Sequence, residues 1–261
     1  MSYTQMSYTQ MTVFGIFFTL LATTLGATLV FVFKVDVSQK TQAVFLGFAS
    51  GIMLAASVFS LLLPAIEQSE EGWGRYAFIP ACIGFLLGGA FMIAFGKLLY
   101  IAFGNERQEF KKGIKLFFSV TLHNIPEGLA VGFAFGLAYA LKTEQAYFSA
   151  LLLAIGIGVQ NFPEGAAVAL PLKQVFQSKT KAFLYGAGSG IVEPIFAVLG
   201  FYCVAYLRFL QPWLLSFSAG TMVCVVAEDL LPDLNGKHLL TGVFALLVGF
   251  AFMMSLDVAL G

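Results

Sequence analysis

The sequence predicts an all-α integral membrane protein of eight transmembrane helices, and three observations carry that reading. Apolar residues make up 59% of the 261 residues and charged residues 11%, where a soluble domain carries about 25% charged residues. The apolar residues gather into eight runs, each near the roughly 20 residues that a helix needs to cross a bilayer. The basic residues collect on alternate breaks between those runs. A formal net charge of +0, from 14 Lys+Arg and 14 Asp+Glu, argues against a disordered chain and against nucleic acid as a partner.

In chain order the runs lie near Met11–Phe33, Thr41–Ile66, Tyr76–Phe103, Ile114–Leu141, Ala146–Leu170, Ala182–Leu207, Pro212–Leu231 and Leu239–Ala259. The breaks between them, such as Glu67–Arg75 and Gly104–Lys112, are short and polar, and none can hold a soluble domain. The chain therefore divides into an N-terminal extension, residues 1–10, and one eight-helix unit, residues 11–261. The extension, MSYTQMSYTQ, is a direct five-residue duplication with no assigned role. The first run is too long, and too weakly flanked by basic residues, for a cleaved signal peptide. With the first break in the cytoplasm, 11 of the 14 basic residues lie inside, and Arg75, Lys142 and Arg208 lie outside. The positive-inside rule then places both termini outside, in a multi-pass protein of a cell membrane, expected to be a bacterial inner or plasma membrane. Cys82, Cys203 and Cys224 stand apart without a CxxC, which signals neither a disulfide framework nor a thiolate zinc site.

Two echoes run through the chain. His123-Asn124-Ile125-Pro126-Glu127-Gly128 returns as Gln160-Asn161-Phe162-Pro163-Glu164-Gly165. Ala49-Ser50-Gly51-Ile52-Met53, followed by Leu62-Leu63-Pro64, returns as Ser218-Ala219-Gly220-Thr221-Met222, followed by Leu230-Leu231-Pro232. The second echo joins runs of opposite sense. It suggests a 3+2+3 arrangement in which runs one to three are repeated, inverted, by six to eight. Inverted repeats with interrupted helices at mid-membrane belong to secondary transporters.

Ionisable groups deep in a membrane cost several kcal/mol unless they are paired or wet. Glu127, Glu164 and Glu193 all fall well inside runs. Four residues of helix advance about 400° and about 6 Å, so His123 shares a face with Glu127, and Gln160 with Glu164. Asn124 and Asn161 sit on the adjoining stripe. Glu127 lies roughly 21 Å before the end of its helix and Glu164 roughly 27 Å into the next, so antiparallel neighbours hold both motifs near mid-membrane. Each motif contains a proline, expected to bend the helix and free a carbonyl. Two carboxylates able to bridge, one imidazole and three amides form an oxygen-rich site for divalent cations. Glu193 joins from the sixth run as Ile191-Val192-Glu193-Pro194. Gly128 and Gly165 are expected to serve the bend, and His238 and Asp257 to be interfacial.

The stretches HNIPEGLAVG and QNFPEGAAVALPL closely resemble the paired motif of the ZIP (Zrt/Irt-like) family of divalent metal transporters, and Gln160 resembles the GufA-like branch. The eight runs with both termini outside match that family's plan over the whole chain. The resemblance implies one ion held by Met53, His123, Glu127, Gln160 and Glu164. It implies a second held by Asn124, Glu127, Asn161, Glu164 and Glu193, with Glu127 and Glu164 bridging. It also implies an outer approach past Ser60 and Glu67, an inner exit past Glu228 and Asp229, and alternating access by one helix bundle sliding past another. The loop Gly104–Lys112 has no histidine, so metal sensing there is not expected.

The expected function is therefore transport of a divalent transition metal into the cytoplasm. Zinc comes first because imidazole with carboxylates suits it, and cadmium, iron and manganese stay open. The expected partners are the metal ion and the lipid bilayer, and a homodimer stays open. No prosthetic group is expected. The alternatives are an intramembrane metal-dependent enzyme, disfavoured by the presence of only two histidines, and a proton/cation antiporter using the same carboxylates.

Overall fold

The computed structural model describes residues 6–33, 38–103, 108–234 and 236–260. Among the described residues, regular structure is helical throughout, with no strand. Eight helices are long and apolar enough to cross a membrane: α1 Tyr8–Val32, α2 Gln39–Tyr76, α3 Phe78–Ala102, α4 Gly113–Leu141, α5 Glu144–Phe176, α6 Lys179–Val204, α7 Gln211–Leu230 and α8 Gly236–Ala259. The chain is an all-α, multi-pass membrane protein.

Local sequence explains the ends. The second SYTQ copy caps α1: Ser7 Oγ accepts from the Gln10 amide at 3.3 Å, and Gln10 Oε1 accepts from the Ser7 amide at 2.8 Å. This reciprocal pair satisfies two N–H groups that helix geometry leaves open. Thr143 caps α5 through its side chain alone, accepting from the Ala146 amide at 3.3 Å. The stretch expected as a break at Glu67–Arg75 is mostly helical, because Glu67, Gln68, Glu70 and Glu71 carry α2 onward past its apolar part. It stops at Gly74, whose φ of 51° suits glycine. Much of the loop Gly104–Lys112 lies outside the described residues.

The interruptions fall elsewhere than at the motif prolines. Helices α4 and α5 stay helical through Pro126 and Pro163. Instead, α2 widens into a π-helix at Ser57–Leu62 and α7 at Val226–Leu230. A proline ring collides with the carbonyl four residues back. For Pro64 that is Ser60, and for Pro232 it is Glu228. Opening the preceding turn relieves the collision. Helix α6 breaks at Gly190 and Ile191 and resumes at Val192, one residue before Glu193.

The helices pair as α1 with α5, α4 with α6, α2 with α8 and α3 with α7. Helices α4 and α5 also pack together, so α1, α4, α5 and α6 form one bundle and α2, α3, α7 and α8 another. Exchanging α1 with α6, α2 with α7, α3 with α8 and α4 with α5 maps these pairings onto themselves. Backbones approach closely within each bundle. A Cβ on Gly165 would lie 2.0 Å from the Thr23 carbonyl oxygen, and one on Gly128 would lie 2.4 Å from that of Glu193. The echoed pair behaves alike: a Cβ on Gly51 would lie 2.0 Å from the Leu246 carbonyl oxygen, and one on Gly220 would lie 2.0 Å from that of Phe85. Small residues of this kind let membrane helices associate through backbone contact. Gly128 and Gly165 are thus needed for close approach rather than for a bend.

Gly165→Ala should therefore overpack α1 against α5, costing about 1–3 kcal/mol. Thermal unfolding in detergent checks this, with Gly188→Ala as control, since a Cβ there meets nothing within 4 Å. Equal melting of the two variants would contradict the close-approach role.

Candidate metal centre

The antiparallel register of α4 and α5 sets the site. The hairpin turn between them is only Lys142 and Thr143, so residues at nearly equal distances from it face one another. His123 comes opposite Glu164, and Glu127 opposite Gln160. His123 Nε2 contacts Glu164 Oε1, and Gln160 Nε2 donates to Glu127 Oε1. The i, i+4 pairs expected on each helix are thus bound crosswise, between helices. One ligand atom from each of His123, Glu127 and Glu164 lies within 4.8 Å of the others.

A second layer forms around Glu193, where α6 resumes. Asn161 Nδ2 donates to Glu193 Oε2 at 2.7 Å. Asn124 Nδ2 donates to Glu193 Oε1 at 3.1 Å, and also to the Ser189 carbonyl at 3.1 Å, which the α6 break leaves open. From α1, Thr23 Oγ1 donates to Glu193 Oε1 at 3.2 Å. Both Glu193 oxygens are therefore committed, and the two amides are turned so that their carbonyl oxygens are free. All four helices of one bundle contribute.

The eight residues expected as ligands are each at most 1% exposed. His123 Nδ1, Glu127 Oε2, Gln160 Oε1, Glu164 Oε2, Asn124 Oδ1 and Asn161 Oδ1 are buried without a hydrogen-bond partner among the described residues. His123 Nε2 and Glu164 Oε1 touch without the alignment of a hydrogen bond. Each unmet buried polar atom costs about 1–3 kcal/mol. Five of those six are oxygens able to accept, so one or two cations would satisfy them together. Imidazole nitrogen with carboxylate and amide oxygen suits zinc, iron or manganese. Met53 is buried on α2 and shares an apolar cluster with Ala130 and Val168, which lie one turn beyond the two glutamates. Ser218 of α7 donates to the His123 carbonyl at 3.3 Å.

The four residues expected along the pathway fall outside this centre. Ser60, in the α2 π-turn, donates to Asp257 Oδ1 at 2.8 Å, and Glu67 is exposed. In the α7 π-turn, Glu228 and Asp229 meet Lys115 of α4 at 2.6 and 3.1 Å. The sequence reading missed Thr23 and Lys115, and placed Asp257 only at the interface. Thr23 gave no signal among the many hydroxyls of apolar runs. For Lys115 and Asp257 the signal was a charge inside a run.

The family profile described as ZIP Zinc transporter matches residues 106–257, which span α4 to α7 and most of α8. The chain belongs to the ZIP family. Zinc transporter ZIP11 of Homo sapiens is 36% identical, over 95% of this chain and 96% of its own. Zinc transporter GufA of Myxococcus xanthus is 34% identical, over 92% of this chain and 95% of its own. Zinc transporter ZIPB of Bordetella bronchiseptica is also 34% identical, over 92% of this chain and 78% of its own. The ZIP family and these relatives are transporters, and this ZIP-family chain is not an enzyme.

Removing Glu193 should loosen the amides it orients. Glu193→Ala is expected to weaken zinc binding about 10–100-fold, the usual cost of losing an orienting partner. Titration against a fluorescent zinc chelator checks this, and unchanged affinity would remove Glu193 from the centre.

Proposed function

We propose that this chain carries a divalent transition-metal ion, zinc foremost, across a cell membrane into the cytoplasm. The observation that carries the reading is the convergence of His123, Glu127 and Glu164 within 4.8 Å, fully buried at the α4–α5 contact. The names of the relatives, all zinc transporters, point the same way.

The first ion is held by His123, Glu127, Gln160 and Glu164, with Met53 closing from α2. The second lies between Asn124 and Asn161, with Glu127 and Glu164 bridging and Glu193 beneath. Fixing the amides through Glu193 makes their oxygens ready donors, although each carries less charge than a carboxylate.

Alternating access follows from the two bundles. Backbone-to-backbone glycine contacts lie within bundles, whereas across the divide Gly96 faces the Lys115 side chain and Gly156 the Asp257 side chain. Two internally tight units with a softer boundary favour rigid sliding over bending. Nearly all the ligands ride on one unit, and Met53 belongs to the other. The approach runs past Glu67 and Ser60, and the exit past Glu228 and Asp229. Lys97, Lys111 and Lys115 share one recess with those exit residues, which accords with that end being cytoplasmic under the positive-inside rule.

Glu127→Gln and Glu164→Gln are each expected to abolish zinc uptake into proteoliposomes, because each removes a bridging ligand. Asn161→Ala should reduce it less. Uptake by Glu127→Gln equal to the parent would sink the assignment. Carboxylates must release protons to bind metal, so uptake should fall as pH drops from neutral to mildly acidic. A flat pH profile would count against carboxylate ligation.

A further inference from the structure

Lys115 is an unusual residue to find where it is. It lies two residues into α4, and its side chain is 15% exposed. Its ammonium bonds two consecutive carboxylates, Glu228 Oε1 at 2.6 Å and Asp229 Oδ1 at 3.1 Å. Consecutive residues of an α-helix point about 100° apart. The π-turn Val226–Leu230 lets both carboxylates converge on one cation. The pair sits beside a recess of about 480 Å³ between α3, α4 and α7. Its partners belong to different bundles: α4 to the one that holds the metal centre, and α7 to the other.

We propose that Lys115 is a tethered cation that latches the inner ends of the two bundles together and occupies the carboxylate pair a departing metal ion needs. This rests on the transport reading and adds a specific residue to it. In the state seen here both exit carboxylates are engaged by one ammonium, so a divalent ion can use them together only by displacing it. If the α4 bundle slides against α7, the contact must break, because a side chain cannot follow a helix displaced by a turn. Release of the latch and exposure of a cation-binding pair are then one event. A doubly charged ion outcompetes a single ammonium at two carboxylates, and a monovalent cation does not. Lys115 therefore selects for divalent cargo at the exit.

Cys224 provides a native reporter, half-buried with Sγ 3.9 Å from Glu228 Oε2. In a Cys82→Ser/Cys203→Ser background in liposomes, a polar maleimide should label Cys224 several-fold faster once Lys115→Met is added. Loss of a nearby cation by itself disfavours the reactive thiolate, so faster labelling reports access. Lys115→Arg should label as slowly as the parent. If Lys115→Met does not fold, Lys115→Gln removes the same cation with a polar side chain and must speed labelling. A second measurement uses zinc alone in a Glu127→Gln/Glu164→Gln background. Adding Lys115→Met should tighten zinc binding roughly tenfold, the order of one charge-assisted contact, and adding Asp229→Asn should reverse this. Equal labelling rates with and without the Lys115 cation, or unchanged zinc affinity, would overturn the latch. Neither readout requires transport. Absence of zinc uptake by the parent protein would instead sink the transport reading and leave both measurements meaningful.

Discussion

Three glutamates buried inside one apolar bundle are the constraint around which the rest is arranged. A carboxylate taken out of water costs several kcal/mol even after relaxation, and mutual repulsion adds to that. The protein treats the three differently. Glu193 is fully answered by Thr23, Asn124 and Asn161. Glu127 and Glu164 each receive one contact, from Gln160 and His123, and each keeps an oxygen without a partner among the described residues. The first arrangement is closed by hydrogen bonds. The second leaves acceptor oxygens without a partner among the described residues, which is what the proposed loading of a cation would use.

Packing makes the arrangement specific. The short α4–α5 turn fixes which residues face each other, and so converts a 37-residue spacing between Glu127 and Glu164 into crosswise pairs. The glycine after each glutamate brings in the next helix. Gly128 admits the α6 backbone at Glu193, and Gly165 admits the α1 backbone at Thr23. The sequence Pro-Glu-Gly therefore supplies a buried carboxylate and, beside it, the space for the helix that packs against it. Larger residues at either glycine would push away Glu193 or its hydroxyl partner while leaving the glutamates in place.

Most of this could be read from the chain. Eight helices followed from length and apolarity. The central residues followed from two matching motifs, because carboxylates in apolar runs demand an explanation. The inverted pairing was hinted at by Gly51 and Gly220, which meet their partner helices in equivalent ways. What could not be read depends on three-dimensional register. Periodicity places His123 beside Glu127, whereas the hairpin places it against Glu164. Thr23, 170 residues from Glu193, is an ordinary hydroxyl until α1 packs on α5. The glutamate-rich end of α2 has the polarity of a break, yet it stays helical because glutamate is a good helix former.

The two π-turns occupy equivalent places in the inverted repeat, and in each a proline forces the turn open. Yet they are used differently. In α2 the widened turn points Ser60 at Asp257, and both residues belong to the same bundle. In α7 it points Glu228 and Asp229 at Lys115, across the divide. Under the proposed sliding, a hydrogen bond inside one bundle would survive, whereas an ion pair between bundles would not. One backbone device, duplicated and inverted, thus gives a polar contact at the Ser60 end that is independent of bundle position and an electrostatic one at the Lys115 end that depends on it. Sequence symmetry is kept in the backbone and broken in the side chains.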